Sequence, residues 1–384
     1  MKKTIYYWSP CLAKVATIKA TMNSAVSLAK YSTLYDVKIL DVCGEWSMHK
    51  DYLSTKKVNV KKLTFNYYKY LPKNGFIKSR ISNLIIILIS FFPLFFLLKN
   101  KKPDYFIIHL VTSLPLLLIN FFYTKTKFIL RISGLPKLNF FRKKLWTYSK
   151  NKLFKVTCPT DDLRNNLIEE NVFDINKLNK LPDPVINIEE FLKKKNDKNT
   201  KLATKKNFDF FIAAGRLTKQ KNFFYLINEF KKFLNVYPNE KLLIFGDGEL
   251  KEKLQNEIRN KNISGNVKLC GYTDNIYKQM LSSKAFIMSS LWEDPGFVMI
   301  ESALCNLFII SSDCKNGPKE FLLNGKAGFI FKSNVENKLF EKLKDFKKLK
   351  NNSIIEKKIL AKKNSMKFTM FRHFLLLKDI IENK

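Results

Sequence analysis

Metal-ligating and disulfide-forming residues are scarce in this chain, and those present are not grouped. The three histidines are His49, His109 and His373. The six cysteines (Cys11, Cys43, Cys158, Cys270, Cys305 and Cys314) include no CxxC pair, and the histidines are not near them. This argues against a zinc site or a disulfide framework and for buried thiols in a reducing compartment. No Asp-x-Asp occurs, so no essential metal is expected. The amino terminus, MKKTIYYWSPCLAK, has the lysines of a signal peptide, but Pro10 interrupts a short apolar run, which argues against export. No internal repeat is found.

Acidic residues are also few: 33 Asp and Glu stand against 69 Lys and Arg, a net charge of +36. Only seven of the basic residues are arginine (Arg80, Arg131, Arg142, Arg164, Arg216, Arg259 and Arg372). Lysine is a point charge without the planar fork that reads bases. The excess therefore points to anionic partners such as phospholipid surfaces or nucleotide diphosphates, although an AT-rich coding sequence inflates Lys, Asn, Ile and Phe in the same way. Salt-sensitive binding to nucleic acid is the rival suggested by charge. No recognition motif accompanies it, so no nucleic-acid partner is expected.

What is present is apolar residue, 46 % of 384 positions, enough for two cores of ordinary size. Short apolar runs alternate with helical patterns. Strands are predicted at 4–8, 37–42, 58–65, 105–110, 127–132 and 155–158, and again at 208–214, 241–245, 267–270, 285–288, 308–311 and 328–331. Many of these runs are continuously apolar, as in parallel strands covered on both faces. Phe223, Ile227, Phe230 and Leu234 mark one face of a helix. The fold class predicted is α/β, with two doubly wound Rossmann-like domains. The boundary is placed at Leu181-Pro182-Asp183-Pro184, followed by a charged stretch at 191–206. An 18-residue run, Ile81 to Leu98, has no charge and basic residues on both flanks. If it crossed a bilayer, strands expected in one sheet would be separated. A helix lying against an anionic membrane, with a second apolar stretch at 114–123, fits better.

The second half carries the chemistry. Gly215-Arg216-Leu217-Thr218-Lys219-Gln220-Lys221-Asn222 follows a strand and opens a helix. A strand-end glycine, two cations and a helix N-terminus suit a diphosphate. Gly246-Asp247-Gly248 and Gly271-Tyr272 are further tight turns at strand ends. Trp292-Glu293-Asp294-Pro295-Gly296-Phe297-Val298-Met299-Ile300-Glu301 places one glutamate on a loop and another early in a helix. Carboxylates suit sugar and ribose hydroxyls, and the amides between them suit phosphate. A plain Asp-Pro-Gly turn capping a helix is the bland alternative.

The order GRLTKQKN, FGDGEL, LCGY, SSLWEDPGFVMIESAL, NGPKEFL and NGKAGFIF resembles the family-four retaining glycosyltransferases of the GT-B fold, over nearly all of 208–331. The first half, in KVATIKATMNSAVSLAKY, KPDYFIIHLVTSLPLLL and RISGLPKLNFFRKKLW, is similar to enzymes of bacterial surface polysaccharide and lipopolysaccharide synthesis. The resemblance implies two domains facing a cleft: an acceptor domain over 1–183 and a donor domain over 184–365, with a helix at 366–384 returning to the first. It implies a nucleotide-diphosphate sugar as co-substrate, no cofactor, a lipid-linked or saccharide acceptor, and retention of configuration. Arg216 and Lys221 match the diphosphate-binding positions, Glu301 the ribose carboxylate, and Glu293 a carboxylate beside the donor sugar. Gly296, Phe297 and Val298 match a backbone segment at sugar and phosphate. Gly271 and Tyr272 lie where the base packs, and Gly215 closes the first strand. His109 matches a histidine near the donor sugar. Lys14 and Arg131 are candidate acceptor contacts. The loop at 9–17 lacks the glycine usual in the family. The expected enzyme is thus a metal-independent hexosyltransferase at the inner face of the cytoplasmic membrane. A sugar-nucleotide epimerase of the same fold, or a basic binding protein without catalysis, is the alternative.

Overall fold

A computed structural model describes residues 2–12, 16–72, 76–198 and 210–382, with the side chains of 76 and 77 left aside. Lys14 and the start of the strand expected from 208 lie outside the described residues.

The chain divides into two units, Met1–Val185 with Met370–Lys384, and Ile186–Thr369. In the first, the order is β1 (Lys3–Trp8), α1 (Ala16–Tyr31), β2 (Tyr35–Asp41), α2 (Lys50–Thr55), β3 (Asn59–Lys62), α3 (Phe76–Lys101), β4 (Tyr105–Ile108), α4 (Ser113–Phe121), β5 (Lys127–Arg131), α5 (Phe140–Ser149), β6 (Leu153–Cys158), α6 (Asp161–Glu169) and β7 (Leu178–Lys180). The second runs α7 (Ile188–Lys195), β8 (Phe211–Ala214), α8 (Phe223–Val236), β9 (Leu242–Phe245), α9 (Lys251–Asn260), β10 (Val267–Gly271), α10 (Ile276–Leu281), β11 (Ala285–Met288), α11 (Phe297–Leu304), β12 (Phe308–Ser312), α12 (Pro318–Phe321), β13 (Phe329–Phe331), α13 (Lys338–Lys348) and α14 (Asn351–Ser365). The last helix, α15 (Met370–Glu382), belongs to the first unit.

The sheets are ordered β3-β2-β1-β4-β5-β6-β7 and β10-β9-β8-β11-β12-β13. All pairings between the named strands are parallel. Each sheet grows outward in both directions from a central pair, β1/β4 and β8/β11, which is the doubly wound order with its switch point between those strands. Two differences from the sequence reading have local causes. β7 is a three-residue strand, Leu-Asn-Lys, too short to show a pattern. The charged stretch after the boundary holds a helix, α7, whose Asn187 side chain accepts from the amides of Glu189 and Glu190.

The helices show why the sheets are covered. On α8 the buried residues Phe223, Leu226, Ile227, Phe230, Phe233 and Leu234 form one stripe against the second sheet. Helix α3 is different. It connects β3 to β4 within one sheet, with Ile5 of β1 opposite Tyr105 of β4. Among the described residues it alone, over Lys78–Lys101, is long and apolar enough to cross a membrane. Its inward side carries Ser82, Ile86, Ser90, Leu94, Leu97 and Leu98, all buried. Its outward side carries Ile81, Leu84, Leu88, Phe92 and Phe96, at 48–66 % exposure. A core helix normally places its polar residues outside. Here the serines face in and the leucines and phenylalanines face out.

Candidate functional site

The site residues of the second unit gather where β8 and β11 diverge. The amide of Gly215, after β8, donates to Phe245 O at 2.9 Å, and that of Gly246, after β9, donates to Gly271 O at 2.8 Å. Three strand ends therefore lie side by side. Gly246 has φ +142°, and a Cβ there would stand 1.9 Å from Gly215 O, so no other residue fits this approach.

The turn after Gly215 is fastened to the loop after β11. Leu291 N donates to Gln220 O at 2.8 Å, Gln220 Nε2 to Trp292 O at 2.9 Å, and Ser289 Oγ to Lys221 O at 2.8 Å. The Lys221 stem crosses over Gly215, where a Cβ would meet its Cε at 3.1 Å. Its ammonium reaches Glu293 Oε1 at 2.5 Å, and the same oxygen accepts from Ser290 Oγ at 2.5 Å. The side chains of Lys221 and Glu293 are 15 % and 4 % exposed. Arg216 stands exposed at the same mouth, its Nη2 donating to Gln220 Oε1 at 3.4 Å.

The loop that carries Glu293 is pinned from the far side. Glu293 N donates to Lys315 O at 3.3 Å, and Asn316 Nδ2 donates to Glu293 O at 3.1 Å and to Asp294 Oδ1 at 2.9 Å. Gly296 then turns into α11 with φ 96°. The amides of Met299 and Ile300 both bond to Gly296 O, at 3.1 and 3.2 Å. Phe297 and Val298 precede them in the first turn, where helix amides have no partner within the helix and the dipole is positive. Glu301, one turn on and 8 % exposed, accepts from the Tyr277 hydroxyl at 3.3 Å. Burial, then the Glu301 carboxylate, push that phenol far above its ordinary pKa, so it remains a donor. Tyr272, beside Gly271, is 75 % exposed. The mouth thus offers two cations, helix amides and two carboxylates. That set can hold a diphosphate and accept from hydroxyls. Among the described residues, no group of three or more His, Cys, Asp or Glu could hold a metal ion.

The corresponding edge of the first unit is closed. His109 follows β4, its amide bonded to Trp8 O at 2.9 Å. Its Nδ1 meets Thr21 Oγ1 at 2.7 Å and its Nε2 meets Ser133 Oγ. Burial, then the Arg131 charge, hold its pKa well below the usual value, so the ring is neutral. Arg131 does not reach the surface. It pairs with Asp183, at 5 % and 2 % side-chain exposure, and braces β5 against the connection to the second unit. This enclosure corrects the expectation of an acceptor contact. A second buried histidine, His373 of α15, bonds Ser24 Oγ at 2.8 Å and Pro182 O at 2.8 Å, and burial lowers its pKa to about 3.

Sequence reasoning missed Ser290, Gln220, Asn316 and Tyr277. The first three stand inside the motif stretches SSLWEDPG, GRLTKQKN and NGPKEFL, so position alone could have marked them. Nothing local marks Tyr277.

The fold is a doubly wound α/β protein, and the mouth at the carboxyl edge of its second sheet gathers cations, helix amides and carboxylates. Residues 194–363, most of the second unit, match the family described as glycosyl transferases group 1. The chain is 34 % identical over 243 residues to an uncharacterised glycosyltransferase of Methanocaldococcus jannaschii, 59 % of each chain. It is 33 % identical over 135 residues to the Campylobacter jejuni enzyme named N-acetylgalactosamine-N,N'-diacetylbacillosaminyl-diphospho-undecaprenol 4-alpha-N-acetylgalactosaminyltransferase, 35 % of this chain and 36 % of that one. The chain therefore matches less than two thirds of the length of these relatives. A glycosyltransferase structure from Rickettsia africae aligns over 100 % of both chains with TM-score 0.75 and 18 % identity, and the fold is GT-B.

Proposed function

We propose that the protein transfers a sugar from a nucleotide-diphosphate donor to a lipid-linked or saccharide acceptor in surface polysaccharide or lipopolysaccharide synthesis. The observation that carries this reading is the Lys221–Glu293 pair, with Arg216 beside it, between the diverging ends of β8 and β11. When the bond from the anomeric carbon to the diphosphate oxygen breaks, negative charge develops on the departing diphosphate. Arg216, Lys221 and the first amides of α11 neutralise it in place. Glu301 accepts from ribose hydroxyls and Glu293 from the donor sugar. Gly271 and Tyr272 take the base. His109 serves as a neutral hydrogen-bonding group rather than a base. Retention of configuration and independence from metal belong to the same reading.

The same reading puts the protein at the inner face of the cytoplasmic membrane. The outward stripe of α3 continues in Leu117 and Phe121 of α4, in Tyr123, and in Phe140, Phe141 and Tyr148 of α5, all exposed. These helices cover one face of the first sheet, and Lys78, Arg80, Lys99, Lys101, Lys143 and Lys144 stand among them. An apolar surface of this extent with a basic rim suits an anionic bilayer.

The test is thermal stabilisation by a panel of nucleoside diphosphates and their sugars, with Glu301→Ala as control. A ligand at a hundred times its dissociation constant adds about 2.7 kcal/mol. A selective shift, lost in the variant, supports the donor site. No shift with any nucleotide overturns it.

A further inference from the structure

An open depression of about 270 Å³ lies between β3 and the second half of α3, lined by Lys61, Lys62, Leu63, Pro93, Phe96, Leu97, Asn100 and Lys101. No carboxylate lines it. Three lysines and one asparagine therefore share this lining with leucine, proline and phenylalanine. Like charges gathered at one pocket repel, and a bound anion relieves that repulsion.

The location narrows the anion. Phe96 lines the depression and is also the last exposed residue of the outward stripe of α3, 53 % accessible. Phe92, one turn earlier, is 65 % accessible. The pocket thus opens onto the apolar strip at its basic end. A soluble anion would use the ammonium groups and leave the strip bare. An amphiphile uses both: its phosphate among Lys61, Lys62 and Lys101, its hydrocarbon along Phe96 and Phe92. We propose that this depression is a headgroup site for one anionic phospholipid, which fixes the first unit on the bilayer. The proposal rests on the membrane-docking reading and goes beyond it, because docking needs only diffuse charge whereas a headgroup site needs these three lysines.

The experiment is vesicle co-sedimentation of the full chain, with phosphatidylglycerol-containing and pure phosphatidylcholine vesicles. Lys61→Ala/Lys62→Ala/Lys101→Ala is compared with a control of equal charge loss in the second unit, Lys348→Ala/Lys350→Ala/Lys363→Ala. Thermal unfolding checks that both triples fold, and Lys→Arg at the three pocket positions tests rescue by charge. The expected result is a loss of tenfold or more for the pocket triple on anionic vesicles, a loss under threefold for the control, and recovery with arginine. Equal losses in the two triples overturn the headgroup site and leave docking standing. Unchanged vesicle binding in Phe92→Ser/Phe96→Ser, or no binding by the wild type, overturns docking and the site with it. Saturable binding of glycerol phosphate, seen by phosphorus NMR and not displaced by vesicles, assigns the pocket to a soluble anion and overturns the lipid.

Discussion

The two sheets have the same central order, yet their carboxyl edges are used in opposite ways. In the second unit, glycines at 215, 246 and 271 bring the backbone to the mouth, and Arg216 stands exposed beside a lysine–glutamate pair. In the first unit the corresponding polar groups satisfy one another. Thr21, His109 and Ser133 form one chain of contacts, and Arg131 closes on Asp183. A doubly wound sheet offers the crevice in both cases. Whether it is an open site depends on whether the side chains there already have partners.

The largest expected effect tests the open edge. Arg216→Ala should lower kcat about 10²- to 10³-fold, the range for removing one preorganised charge stabiliser. Its thermal unfolding should match wild type, because the side chain is exposed and its one contact is long. An equal loss of stability would erase the contrast. Lys221→Ala should lose both turnover and stability, by about 3 kcal/mol in urea denaturation, since Glu293 is left buried without its cation. Glu301→Ala should weaken nucleotide binding by about 1–3 kcal/mol, read by calorimetry.

The last prediction tests the closed edge, and its sign follows from proton counting. His373 is neutral when folded, with its pKa lowered to about 3 from 6.5. Between these values the unfolded chain binds more protons, so stability is full above about 6.5 and falls as pH drops. The slope is at most about 1.4 kcal/mol per pH unit for one histidine. His373→Asn should remove that contribution between pH 4 and 6 in denaturant titrations. His109 acts in the same direction. All three histidines lie in the first unit. An unchanged slope in the variant would mean that His373 titrates normally and that the closed edge is not dry.

Parallel strands buried on both faces are continuous apolar runs, so both sheets were readable from composition along the chain. The gathering of glycines, cations and glutamates at the mouth of the second unit was readable because they occupy three short stretches. The partners were not. Tyr277 meets Glu301 only because α10 packs on α11. Arg131 appears in the sequence as a strand-end cation, and its partner Asp183 lies 52 residues further on. Spacing of that kind is set by the fold, and no local pattern announces it. The outward stripe of α3 was visible only as an uncharged run. Which of its sides faces out depends on where Ser82 and Ser90 are buried.

The split of the first unit reverses the order in which the molecule can be finished. Met370, Phe374, Leu377, Ile380 and Ile381 of α15 share a core with Ile5, Tyr7, Ala25 and Ile107, and Tyr105 donates to Ile381 O at 2.8 Å. These residues leave the ribosome after all of 186–369. The second unit, continuous in sequence, is therefore complete first. The first unit waits, with an apolar groove open along α1, until the segment that fills it emerges. A nascent chain of this protein carries its greatest aggregation hazard late in synthesis, in the part that was made earliest.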